Sequence, residues 1–183
     1  MAHLKLNNNP ISKISQDIFD KTQNSLGFVP NMYKKMGQNP ALLDAYIYSY
    51  NSFRANSGFN SVEQEVVFLS VAYENNCEYC TAAHSFIADK MSKVPVEVTN
   101  AIRDGKQIPD AKLAVLSKLT RSLTSNRGNV SQAEIDEFLA AGYEEVHVLG
   151  IIAGIAVKTI SNYSNHNTNP ELDSAFAGRV WKK

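Results

Sequence analysis

Residues Ser61–Ser85 read SVEQEVVFLSVAYENNCEYCTAAHS. The stretch opens on a helix start: Asn60 can cap, with Glu63 three positions on, and Ser61 with Gln64 offers the same capping box one residue later. Val66, Val67, Leu69, Ser70 and Tyr73 carry that helix to the Asn75-Asn76 break. A second helix is predicted from about Cys77 through Ala82, Ala83 and Phe86 to Met91. Two helices joined by a two-residue break, with no β-branched alternation between them, set an all-α reading.

The same pattern continues outward. Ile11, Ile14, Ile18 and Phe19 recur at helical spacing up to Leu26, where Gly27 and Pro30 stop the helix. A short segment around Met32–Met36 precedes the Asn39-Pro40 break. Leu42, Leu43, Tyr46, Tyr50 and Phe53 then mark an amphipathic helix over 41–53. Pro95 opens a helix that Gly105 ends, and Leu113, Leu116, Leu119 and Leu123 mark another over 110–125. Ser131 with Glu134 is a further capping box, heading a helix that stops at Gly142. The last helix is predicted from about Glu144 to Asn165, with an irregular tail from Pro170. The whole chain, 1–183, reads as a single all-α domain of about eight helices.

Composition narrows the function classes. The chain is 44% hydrophobic, enough to build a core, and its 18 Lys+Arg balance its 18 Asp+Glu. That balance, with no basic run, argues against nucleic acid and anionic membrane as partners. MAHLKLNNNP lacks the apolar core of a signal peptide, and Phe176–Lys183 carries no lipidation pattern. The longest apolar run, Val146–Ile160, is short for a bilayer and contains His147 and Lys158. The expectation is a cytoplasmic protein.

Both cysteines of the chain, Cys77 and Cys80, fall in the quoted stretch, with His84 four positions beyond the second. A disulfide across two intervening residues closes too small a loop to restrict the unfolded chain much. Chemistry or metal binding is the better reason for the pair. On a helix the positions i, i+3 and i+7 share one face, and both sulfurs lie in the first turn. Unpaired N–H groups and the positive end of the dipole there favour thiolate over thiol.

Three readings stay open on spacing alone. Cys80 could attack an oxidant to become a sulfenic acid that Cys77 resolves to a disulfide, with His84 handling the proton. The three side chains could bind zinc, given a fourth ligand from among His3, His147 and His166. They could also be small core residues around an interior histidine. Glu65, among Val66, Val67, Phe68 and Leu69, could serve as the carboxylate behind His84, or could simply favour a helix amino end, as Glu63 could. His166 reads as a cap at a helix carboxyl end, outside the site. Tyr46, Tyr48, Tyr50 and Phe53 read as core or subunit interface. The small-residue helix Val148–Val157 suits close packing, between subunits included.

The quoted stretch resembles the core motif of the alkylhydroperoxidase D-like, carboxymuconolactone decarboxylase family. The redox branch of that family carries Glu, eleven residues, then Cys-x-x-Cys-x-x-x-His, matched here by Glu65, Cys77, Cys80 and His84. LGFVPNMYKKMGQNPALLDAY resembles the amino-terminal segment of its peroxidase-related subgroup, and NYSNHNTNP with Leu172-Asp173 its carboxy-terminal signature. The resemblance implies an all-α fold, assembly into homo-oligomers (trimers or hexamers) and thiol-dependent reduction of hydroperoxides. It implies Cys80 as the peroxidatic thiol, Cys77 as the resolving one, and Glu65 with His84 as the proton relay. No metal or organic cofactor is implied, only a hydroperoxide substrate and a thiol reductant the residues do not identify. The decarboxylase branch lacks the cysteine pair. In one position the chain departs from the best-known peroxidases, which carry a histidine where Tyr79 stands. A phenol can donate a hydrogen bond there but is no base near neutral pH.

Overall fold

The computed structural model describes residues 3–10 and 12–183, and among them there is no strand. Nine α-helices follow in order: α1 (Lys13–Leu26), α2 (Asn31–Met36), α3 (Pro40–Asn56), α4 (Ser61–Glu74), α5 (Glu78–Ile87), α6 (Val96–Asp104), α7 (Ala111–Ser125), α8 (Gln132–Ala140) and α9 (Glu145–Thr168). A π turn over Ala88–Ser92 follows α5, and a 3-10 turn over Ser174–Arg179 lies in the tail.

Helix α4 is the axis of the fold. Every residue from Glu63 to Ala72 is buried, so the helix has no solvated face and must be wrapped on all sides. Helices α5, α6, α7 and α9 pack around it. The capping box at Asn60 and Glu63 is formed, while Gln64 donates instead to the carbonyls of Arg54 and Phe59. Helix α9 comes close because of its glycines. A Cβ on Gly154 would stand 2.7 Å from Val67 Cγ1, and one on Gly150 2.6 Å from the Ser57 carbonyl. At 24 residues α9 is long and apolar enough to cross a bilayer by composition alone. Its buried face nevertheless carries Lys158, Ser161, Asn162 and Asn165, which suits a core helix that lines a site.

Two local expectations change. In α1, Ile14 is exposed and Ser15 takes the inward position, donating to the Gly37 carbonyl (2.9 Å); Ile11 lies outside the described residues. The helix expected to run to Met91 leaves α-geometry at Ala88. The tail has no α-helix, as expected, and is tied down by side chains. Arg103 donates to the carbonyls of Arg179 (3.0 Å) and Val180 (2.9 Å), and the Trp181 indole donates back to the Arg103 carbonyl (2.8 Å).

Candidate active site

The turn between α4 and α5 places the thiols. Asn76 takes a left-handed φ of 53°, which asparagine tolerates better than most residues, and the Cys77 N–H reaches back to the Ala72 carbonyl (2.9 Å). Cys77 is therefore the N-cap of α5, and its thiol makes no capping bond. Cys80 stands in the first turn, near the positive end of the helix dipole. Both thiols are reduced and buried.

Helix α9 faces them with a polar stripe of its own. Asn165 Nδ2 donates to Cys80 Sγ (3.2 Å), to Cys77 Sγ (3.6 Å) and to Met32 Sδ (3.3 Å). Ser161 Oγ lies 3.7 Å from Cys80 Sγ. Lys158, wholly buried, has no hydrogen-bond partner for its ammonium group and lines the same cavity as Cys80. A buried cation without a partner is costly unless an anion forms beside it. Burial alone would push the Cys80 thiol up. The Cys77 hydrogen bond, the Lys158 charge and the Ser161 hydroxyl outweigh it and hold Cys80 well below its ordinary value, and His84 adds to them whenever it is protonated. Cys77, hydrogen-bonded to Cys80 and desolvated, is pushed the other way. The pair is polarised: Cys80 is the readier of the two to ionise and Cys77 the readier to keep its proton.

Behind Cys80 runs a chain of buried charges. His84 Nδ1 lies 2.8 Å from Glu65 Oε2, and the Arg54 guanidinium pairs with the other carboxylate oxygen. Arg54 also donates to the Tyr50 hydroxyl (2.9 Å) and to Gln64 Oε1 (3.1 Å). Burial opposes ionisation of Glu65, but His84 and Arg54 together hold its carboxyl below the usual value. Burial and the Lys158 charge push the His84 imidazole below its ordinary value against the pull of Glu65. Both shifts favour an ionised Glu65 beside a neutral His84, and with Nδ1 turned to the carboxylate the ring's Nε2 is left to accept a proton.

Cys80 and His84 open on a cavity of about 490 Å³ walled largely by Phe28, Met32, Tyr46, Tyr50, Phe86 and Phe176. Tyr79 is no part of the proton chain. Its hydroxyl donates to buried Asp173, and burial and that carboxylate push its ionisation far up. Asp173 also accepts from the Asn31 N–H (3.1 Å), so the Tyr79 contact straps the tail to α2 and α5. Tyr46 and Phe53 are core, Tyr50 lines the cavity and Tyr48 is exposed. His147 accepts from the Glu144 N–H at the start of α9, and His166 lies in its last turn. Among the described residues no cluster of three or more His, Cys, Asp or Glu side chains is placed to hold a metal ion.

The structure thus brings Glu65, Cys77, Cys80 and His84 into one buried site. Sequence reasoning missed Lys158, Ser161 and Asn165. They repeat the i, i+3, i+7 spacing of Cys77, Cys80 and His84 on a second helix, and the lysine inside an apolar run was the available signal. It also missed Arg54, four residues beyond Tyr50 on α3.

No protein-family model matches the sequence, and no curated protein does. Solved structures do match in fold. One is an alkylhydroperoxidase AhpD core, an uncharacterized peroxidase-related protein from Ralstonia eutropha JMP134: TM-score 0.81, 19% identity, over 96% of this chain and 97% of that one. A second, an uncharacterized peroxidase-related protein from Silicibacter sp. TM1040, gives TM-score 0.82 and 21% identity over 97% and 95% of the two chains. The debrominase Bmp8 gives TM-score 0.75 and 17% identity over 97% of each chain, in a complex with 2,3,4-tribromopyrrole. Over 96–97% of its length the chain has the all-α fold of the AhpD core.

Proposed function

We propose that the protein is a thiol oxidoreductase that reduces hydroperoxides through a disulfide cycle of Cys80 and Cys77. The observation that carries this reading is the constellation: Cys77 and Cys80 share the Asn165 amide, and Cys80 opens on an apolar cavity beside Lys158 and a Glu65-linked histidine. The Cys80 proton leaves through His84 Nε2, while Nδ1–H stays on ionised Glu65. The thiolate attacks the distal peroxide oxygen, the O–O bond breaks, and the same proton returns to the departing alkoxide. The products are an alcohol and a Cys80 sulfenic acid. Cys77 then attacks the sulfenic sulfur, the S–S bond forms and water leaves. A thiol donor restores both cysteines.

One equivalent of cumene hydroperoxide should consume both thiols, the intact protein losing two hydrogens. Two free thiols after that challenge refute the reading. His84→Gln should slow the oxidation by about a hundredfold and Glu65→Gln by a smaller factor. Unchanged rates in both variants remove the relay.

A second reading is favoured by the fold shared with the debrominase and by the aromatic cavity wall. In reductive dehalogenation the same two thiols would convert a haloaromatic to its hydrogen analogue and a halide ion, ending in the same disulfide. Halide release from a bromopyrrole, with no oxidation by cumene hydroperoxide, would select it.

A further inference from the structure

The two thiols open on different cavities. Cys80, without Cys77, lines the apolar cavity; Cys77, without Cys80, lines a second cavity of about 490 Å³ on the other side of Tyr79. This second cavity is framed by the end of α9 and the tail, with Asn76, Glu78, Asn165, His166, Asn169 and Trp181 on its wall. Its lining is about half polar, where that of the first is mostly apolar. Tyr79 lines both cavities and stands between them, its hydroxyl held by Asp173.

A second observation points to a ligand in the polar cavity. Asn165 is only 5% exposed, and while its Nδ2 serves the thiols its Oδ1 is buried with no hydrogen-bond partner. An acceptor stranded beside Cys77 suits a donor that arrives only during turnover. An O–H or N–H group carried by a small-molecule thiol is such a donor, and it leaves the sulfur free to attack as the thiolate.

We infer that the polar cavity is the entry site of the reductant, a slender small-molecule thiol that attacks the disulfide at Cys77. This rests on the disulfide cycle proposed above. The attacking thiolate bonds to Cys77 Sγ, the S–S bond breaks, and Cys80 departs as the thiolate. A low-pKa thiol is the better leaving group, so attack at Cys77 is the favoured direction. A second reductant thiol then attacks the reductant sulfur of the mixed disulfide, releasing Cys77 as a thiol and the reductant as its own disulfide. Cys77 is 1% exposed, so a thiol fixed on a broad protein surface cannot reach it, while a thin one can. Oxidant and reductant thus reach the pair from opposite sides.

The test narrows each cavity at an exposed residue on its wall. His166→Trp fills the polar side and Met91→Trp the apolar side. The disulfide is made with diamide, so this arm does not depend on peroxide chemistry. Reduction by dithiothreitol and by glutathione is followed by acid quench and thiol counting, and oxidation by cumene hydroperoxide in the same way. His166→Trp should slow reduction by about tenfold or more and leave oxidation within about twofold, and Met91→Trp should do the reverse. Reduction unaffected by His166→Trp, or both steps slowed alike by either variant, overturns the inference. Reduction by a thioredoxin-like protein faster than by either small thiol also overturns it. If the wild type fails to react with hydroperoxide but His166→Trp still slows reduction alone, the peroxidase reading falls and the entry site stands.

Discussion

Lys158 helps decide what Cys80 is. Buried sulfur favours the neutral thiol, and the dipole of a ten-residue helix is a modest counterweight. The Cys77 hydrogen bond and, after it, the charge of a lysine with no hydrogen-bond partner are the larger ones. Lys158→Met keeps the apolar stem and removes the charge. The pH profile of iodoacetamide alkylation at Cys80 should then inflect at higher pH than in the wild type. The sign follows from the charge: a nearby cation stabilises the thiolate, so its loss favours the protonated form. An unmoved inflection would mean that Cys77, Ser161 and the helix end suffice. His84 and Cys80 were legible in sequence because three of the four candidate side chains sit on one helix, where spacing alone fixes the face. Lys158 was not, because its partner lies 78 positions away and only the rotation of α9 against α5 brings them together.

At the scale of elements, the surprise is the tail. From Pro170 onward the sequence carries no helical period and reads as irregular. It is nevertheless tied through Asp173, Phe176 and Trp181, contacts fixed by tertiary packing that no local pattern announces. Helix starts were legible where a capping box wrote them down, at Asn60 and Ser131. The end of α5 was not, since the change to a π turn at Ala88 leaves the apolar residues in place. Tyr79, between the two cysteines, serves the tail as a strut. Tyr79→Phe leaves the buried Asp173 carboxylate short of a donor and should cost about 1–3 kcal/mol in urea denaturation. Its hydroperoxide oxidation rate should stay within about twofold of the wild type. A large rate loss at unchanged stability would instead make the phenol part of the chemistry.

The whole molecule has two sides. The inward face of α9 lines the site, while its outward face exposes Val146, Leu149 and Ile152, with Leu149 69% accessible. Apolar side chains in a row on one helix face suit burial against another chain. The expected trimer or hexamer would bury it, with the small residues Ala153 and Ala156 allowing close approach. By sedimentation velocity the wild type should run as such an assembly, and Leu149→Glu as a smaller species with unchanged helix content. A monomeric wild type would leave that row without a role.

The central claim is that Cys80 attacks and Cys77 resolves. Cys77→Ser protein, treated with one equivalent of cumene hydroperoxide in the presence of dimedone, isolates the first step. The account predicts a dimedone adduct on Cys80, with none on Cys77 in the matching Cys80→Ser protein. An adduct on Cys77 and none on Cys80 would contradict it.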